Sequence, residues 1–437
     1  LVLKMALPMV ISMLVNSLYN IVDSFFVAQV SEDAMTAISI VYPLQNLANA
    51  VGVGFGVGIN AAVAYYLGAN NGKAANRSAT LGIILSALHG IVLAGICVLL
   101  IRPFISMFTD SEEIVAYGLD YFYVVIAFAP VLTLGIAFEK VLQATGKMKT
   151  TMFCMAIGAV ANIILDPIFI SGLGAIPAMG VFGAALATGI GQSLSLISYI
   201  AVFLLAKIPV RLRLERRGEE KICRKLYYVG IPASLNLALP SFMITMLNAI
   251  LAAFAEVYVL ILGVYYKLQT FIYFTISGIV QGIRPLMSYN LGAGRKDRVM
   301  GIFKVTLLLS LGVMVIGTIL CLAIPGQLMD IFTDTPQTVQ QGAIALRIIC
   351  AGFIVSAISV VISGTFEALG KGMPSLIISL LRYIAILPIA LIMSYLFQAV
   401  GVWHSFWITE LISSVISGIL FWRLFYKDRT KRNCECI

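Results

Sequence analysis

The chain has 437 residues, of which 60% are apolar and only 11% charged. A soluble domain carries about 25% charged residues, so this composition excludes an ordinary water-exposed fold. The formal net charge of +9 is spread over short connections with no folded basic domain, which argues against nucleic acid as a partner.

Apolar runs long enough to cross a hydrocarbon core of about 30 Å recur along the whole length. Backbone groups in lipid must be satisfied within their own segment, so these runs are helices. In chain order the spans are expected at 5–29, 36–66, 79–101, 115–140, 150–171, 180–206, 226–252, 257–290, 302–324, 339–366, 374–397 and 402–425. The first run is full span length and contains Asp23, so it reads as a span and not as a cleavable signal peptide. The expected fold is an all-α membrane protein of twelve transmembrane helices in two six-helix bundles. Residues 1–206 form an N-lobe, 207–225 a basic linker, 226–425 a C-lobe and 426–437 a tail.

Charge is sorted by connection. Those after even-numbered spans hold Lys73, Arg77, Lys147, Lys149, Arg295, Lys296, Arg298 and Lys371, and the linker adds Lys207, Arg211, Arg213, Lys221, Arg224 and Lys225. Those after odd-numbered spans carry Arg102 and otherwise acids such as Glu32, Asp33, Asp110, Glu112, Glu113, Glu256 and Asp330. The positive-inside rule then puts both termini and the linker in the cytoplasm. Cys97, Cys154, Cys321 and Cys350 lie inside apolar spans and read as small core residues, not disulfides.

The two halves repeat. Pro8 recurs as Pro232, Tyr42 as Tyr266, Leu67-Gly68-Ala69 as Leu291-Gly292-Ala293, Phe108-Thr109-Asp110 as Phe332-Thr333-Asp334, and Gly146-Lys147 as Gly370-Lys371. Each pair is 224 residues apart, and Gly180-Val181 through Thr188 matches Gly401-Val402 through Thr409 only after a three-residue slip to 221. With six spans per half, both halves enter the membrane from one side, giving a pseudo-twofold axis along the membrane normal. Gly54-x-x-x-Gly58 and its partner Gly278-x-x-x-Gly282 read as helix-packing surfaces, not as a dinucleotide fingerprint. No phosphate-binding loop, serine elbow or zinc-protease signature is present, so ATP hydrolysis and an intramembrane enzyme are both disfavoured.

Acids at membrane depth carry the functional signal. Asp23 lies late in span one, four residues after Tyr19; Asp166 lies in span five, four residues after Asn162 and on the same helix face. Glu139 lies in span four beside Lys140, its candidate structural partner. A carboxylate in hydrocarbon is costly and usually faces an ion or substrate path. The repeat positions of Asp23 and Asp166 are apolar, Leu247 and Ala390 (Leu387 with the slip), so acid chemistry concentrates in the first half. Lys267, Arg284, Arg347, Arg382 and Glu410 of the second half have no role assigned by pattern, and His89 and His404 read as structural.

At Pro8, Tyr19-Asn20-Ile21-Val22-Asp23, Asn162-x-x-x-Asp166-Pro167, Gly183 through Thr188 and Tyr289-Asn290-Leu291-Gly292-Ala293, the sequence resembles the multidrug and toxic compound extrusion (MATE) family, in its bacterial multidrug-pump branch. The resemblance covers essentially the whole chain. It implies a non-enzymatic antiporter of the bacterial inner membrane, without cofactor and monomeric, that exports amphipathic, often cationic molecules in exchange for H⁺ or Na⁺. It implies a cation site, with Na⁺ as one candidate, at Asp23, Asn162, Asp166 and Thr188. Tyr19 and Asn16 would face the cargo, and Glu139 would neighbour the cavity. Glu139 departs from the Asn common in the family, and so adds an acid whose role the resemblance leaves open. The competing reading, a lipid-linked saccharide flippase of the same superfamily, calls for a cationic cavity instead.

Overall fold

A computed structural model describes residues 1–173, 176–213, 221–333 and 335–433, with side chains as far as Phe425. The middle of the basic linker (214–220), Asp334 and the cysteines of the tail, Cys434 and Cys436, lie outside the described residues. The first half contains α1 (Val2–Ala28), α2 (Glu32–Gly68), α3 (Gly72–Ile105), α4 (Glu112–Ala127), α5 (Ala129–Ala144), α6 (Met148–Ser171) and α7 (Gly180–Leu205). The second contains α8 (Ile222–Ala252), α9 (Glu256–Gly292), α10 (Lys296–Ala323), α11 (Pro325–Asp330), α12 (Pro336–Ile349), α13 (Phe353–Ala368), α14 (Gly372–Tyr383) and α15 (Ile386–Asn433).

These helices make the twelve expected spans. Helices α4 and α5 form one span bent by 43° at Phe128. Helices α12 and α13 form another, joined by a single 3₁₀ turn at Cys350–Gly352. The apolar stretch Gly372–Phe425 has 54 residues, about 80 Å of helix, far more than one crossing needs. It reverses at Phe397–Gln398, where Gln398 takes φ 54°. A Cβ on Gly401 would lie 1.9 Å from the carbonyl oxygen of Met393, so the two arms touch directly after the turn. Spans eleven and twelve are thus separate crossings.

The repeat is visible in the element boundaries. Helices α2 and α9 begin and end at positions 224 residues apart, as do α5 and α13, and the bend at Phe128 recurs at Gly352. The ends repeat in detail too: Asn70 and Gly294 both adopt left-handed backbone, at φ 55° and 72°. Asn and Gly are the residues that tolerate this helix-ending conformation. Local chemistry starts the helices as well. The Ser31 hydroxyl accepts from Ala34 N (3.0 Å), and Asn71 Oδ1 accepts from Ala74 N (3.0 Å). Glu32 and Asp33 then sit on the positive end of the α2 dipole.

Each lobe buries its own apolar core. In the C-lobe it includes Trp403, Phe353, Phe366 and Leu247; in the N-lobe the acidic-face half is built on Phe122, Ile101 and Ile126. The lobes meet along α2 against α8, α1 against α9, and α2 against α9. The meeting is lopsided. On the half nearer the basic connections, every residue of α2 from Gly54 to Ala64 is buried, and Phe55 and Ile59 share a cluster with Ile222 and Leu226 of α8. On the half nearer the acidic connections Tyr42, on the same central helix, is 57% exposed. The cleft between the lobes is therefore closed at the basic face and open toward the acidic one.

Glycines make the closed seam possible. A Cβ at Gly54 would lie 2.2 Å from Ser234 N, and one at Gly58 2.4 Å from Leu226 O, both on α8. One at Gly278 or Gly282 would lie 2.6 Å from the Cα of Val10 or Ala6, on α1. The two GxxxG surfaces each seat the first helix of the opposite lobe, as the packing reading expects.

Candidate functional site

Asp23, on the acidic half of α1, and Asp166, on α6, are brought together in the N-lobe, close enough for their charges to interact. Asp166 is fully buried and Asn162 nearly so, whereas Asp23 keeps partial exposure. One helical turn separates Asn162 from Asp166, which lets Asn162 Nδ2 donate to Asp166 Oδ1 (3.1 Å) and to Thr188 Oγ1 on α7 (3.4 Å). With its amide nitrogen committed, Asn162 presents its oxygen. Asn162 Oδ1, Asp23 Oδ1 and Asp166 Oδ2 are all buried without a hydrogen-bond partner. Tyr19 on α1 and Tyr121 on α4 stand within the field of both carboxylates, and Tyr121 OH donates to Gln45 (3.4 Å). Among the described residues no cation is paired with either acid. Two uncompensated carboxylates and unpartnered oxygens form an acceptor-only pocket, the donor set a hard cation or a proton requires. Asn16 lies one turn before Tyr19 on α1; its backbone carbonyl accepts from the Asn20 amide (2.7 Å).

Glu139 belongs to a different cluster. Lys140 Nζ donates to Glu139 Oε1 (3.0 Å), to Gln143 Oε1 (3.2 Å) and across the lobe boundary to Gln281 Oε1 on α9 (3.1 Å). Gln143 Nε2 in turn donates to Glu139 and to Met9 Sδ (3.2 Å). All three ammonium hydrogens are used, and Lys140 is 3% exposed. Glu139, whose role the resemblance left open, is thus ion-paired by its sequence neighbour, at the closed seam. The lysine stem lies over Gly56, whose Cβ would come within 2.8 Å of Lys140 Cγ. At the repeat positions the sizes are exchanged, with Gly364 beneath Val280. Lys140→Met should cost about 3 kcal/mol, because it strands a mostly buried carboxylate. Thermal unfolding of the purified protein checks this: the double change Lys140→Met with Glu139→Gln should recover most of the loss, and no recovery would mean the ion pair is not what the lysine supplies.

Further inter-lobe bonds are Lys225 Nζ to Tyr66 OH (2.6 Å) and His89 Nε2 with Tyr227 OH (2.9 Å) on the α8 side of the seam, and Asn46 Nδ2 to Ser241 Oγ (3.2 Å) in the half nearer the acidic connections. Sequence pattern missed Glu367, the partner of Arg284 in the C-lobe, which also accepts from Asn236 Nδ2 (3.0 Å) and Ser375 Oγ (3.1 Å). Its position, three residues before Gly370 and at the repeat of Gln143, was the available signal. Lys267 lies over the Phe332 ring, 5.6 Å from its centroid. Cys97, Cys154, Cys321 and Cys350 are free and buried, as small core residues.

The MatE family model matches residues 8–168 and again residues 232–392, two matches 224 residues apart that coincide with the internal repeat. The chain belongs to the MATE family. Among relatives, the multidrug export protein MepA of Staphylococcus aureus (strain N315) is 28% identical over 432 residues, covering 97% of this chain and 93% of its own length. MepA of Staphylococcus haemolyticus (strain JCSC1435) is 25% identical over 421 residues, covering 96% and 92%. Among solved structures, an outward-facing multidrug resistance MATE transporter of the MOP superfamily superposes with a TM-score of 0.91 at 23% identity, covering 98% of this chain and 96% of that one. A MOP superfamily transporter from Pyrococcus furiosus gives 0.90 at 22%, covering 97% and 95%. This MATE fold is the two-bundle, twelve-helix architecture built up above.

Proposed function

We propose that the protein is a secondary antiporter that exports amphipathic cations through the bacterial inner membrane, driven by inward H⁺ or Na⁺. The observation that carries this reading is the N-lobe pocket: Asp23 and Asp166 together, with three unpartnered oxygens and, among the described residues, no paired cation. Such a pocket is charge-balanced only when it takes up a cation. A coupling ion and a cationic cargo then compete for the same acids, and linkage makes the effect of each on the other equal. Uncompensated negative charge is the wrong polarity for the pyrophosphate of a lipid-linked saccharide, so export of cations is the better reading over flipping.

By the positive-inside rule that face, with both termini, would be the cytoplasmic one. The cleft then opens to the outside in this state, and alternating access requires the glycine seam to part. Residues 207–225 would be the cytoplasmic linker between lobes, and a monomer suffices because both lobes come from one chain. No cofactor enters this scheme.

Everted membrane vesicles, which expose the cytoplasmic face, test the scheme directly. A fluorescent cation should accumulate in them when a proton or Na⁺ gradient is imposed from the lumen outward, with the two ions varied independently. Accumulation that ignores both gradients would overturn antiport. Accumulation in right-side-out vesicles alone would overturn the orientation.

A further inference from the structure

The C-lobe holds a second buried polar cluster, on α14 and α15, which repeat α6 and α7 of the N-lobe site, together with α9 and α13. Gly372, Ser375 and Ser379 form the buried stripe of α14, and Arg382 continues that stripe into the bundle by one more helical step. Its Nε donates to Glu410 Oε1 on α15 (2.6 Å), and Ser359 Oγ on α13 donates to Glu410 Oε2 (3.4 Å). The guanidinium carbon lies 5.1 Å from the Tyr273 ring centre and 5.5 Å from that of Tyr383. Tyr266 stands within the field of both charges and packs beside Phe406, whose ring centre is 6.5 Å away. Glu410 directly follows Thr409, the repeat counterpart of Thr188.

Two features set this cluster apart from a simple structural pair. Glu410 takes the Nε edge of the guanidinium, while the outer edge, formed by the two Nη groups, makes no described hydrogen bond, and the side chain keeps 10% exposure. Tyr266 OH, Thr409 Oγ1 and Ser413 Oγ are also buried without partners. A planar fork with one free edge, held between aromatic faces, matches a carboxylate in a bidentate geometry.

Resting on the export reading, we propose that Arg382 is a specificity-determining residue that binds the carboxylate of aromatic, zwitterionic cargo at this C-lobe cluster. Glu410 fixes the guanidinium, and Tyr273, Tyr383 and Tyr266 flank the aromatic body. The two lobes then contribute opposite polarities: acceptors alone in the N-lobe, a free donor edge in the C-lobe. Molecules with a cationic nitrogen and no carboxylate use the first and not the second.

The test compares a rhodamine bearing a free carboxylate with the methyl ester of the same dye, in export and in binding to the purified protein. Arg382→Gln should lower export and affinity for the free-carboxylate dye by about tenfold, while the ester stays within about twofold. Arg382→Lys, which keeps the charge opposite Glu410 but loses the fork, should fall between wild type and Arg382→Gln for the carboxylate dye only. If Arg382→Gln does not fold, Arg382→Lys alone decides. Equal losses for both dyes, or no loss for either, would overturn the proposal. A wild-type protein that binds the carboxylate dye through Arg382 but exports neither dye would overturn the export reading and leave the Arg382 site assigned.

Discussion

Asp166→Asn is expected to abolish export, lowering turnover by at least about 100-fold, or about 2.7 kcal/mol of coupling. The change is isosteric, and an Asn oxygen at this position can still accept from Asn162 Nδ2, now at 3.1 Å. Shape is kept and charge is lost. Asp166 is fully buried beside Asp23 with one oxygen unpartnered, so removing its charge removes half of what draws a cation into the pocket. Asp23→Asn should act in the same way. The repeat offers an apolar control, but not a polar one: Leu247 and Ala390, the counterparts of the two acids, are fully buried in the C-lobe core. An Asn at Leu247 would leave an amide unsatisfied and destabilise for reasons unrelated to transport, so Leu247→Met is the sound comparison and should export normally. Efflux from cells is measured alongside thermal stability of each variant. Normal efflux in both acid variants would remove the N-lobe pocket from the mechanism; efflux lost only together with the fold would make the acids structural.

Gly54→Val is expected to be comparably damaging by a different route. Its first side-chain carbon would lie 2.2 Å from the backbone nitrogen of Ser234, and backbone on a packed helix cannot turn aside as a side-chain tip can. The lobes must separate at the basic face, and the state described above becomes inaccessible. A cost of about 5.5 kcal/mol is enough to invert a two-state population from 99:1 to 1:99. Gly278→Val, at the repeat position against Val10 of α1, should do the same. Spin labels at Gly72→Cys and Gly301→Cys, both in open space at the basic ends of the two lobes, would report the gap in a cysteine-free background. The expected result is a longer distance in both valine variants with export lost. An unchanged distance with normal export would mean that the seam does not govern access.

Spans, repeat and the asymmetric placement of acids were legible from sequence for one reason: each is a local or periodic property. Hydropathy sets a span within its own residues, capping residues such as Ser31 and Asn71 act on the next turn, and Asn162 and Asp166 meet because they are one turn apart on one helix. The 224-residue offset survived because helix lengths and ends are kept between halves. The extra crossing at Phe397–Gln398 was legible for the same reason, since a predominantly apolar stretch of 54 residues is too long for one crossing.

What the tertiary structure decided are the partners. Glu139 and Asp23 look alike as acids within apolar runs, yet Glu139 is neutralised by Lys140 with help from Gln281, 141 residues further on, and Asp23 is left uncompensated. Arg284 finds Glu367, and Arg382 finds Glu410, through helix packing that no local pattern encodes. The closed face was likewise undetermined by composition, because both halves of α2 are apolar. It follows from close backbone approach at Gly54, Gly58, Gly278 and Gly282. Sequence could name these glycines as packing surfaces, but only three-dimensional contact assigns each to the opposite lobe. A charge in low dielectric is governed by what lies within a few ångströms of it, and in a helical bundle those neighbours come from other helices.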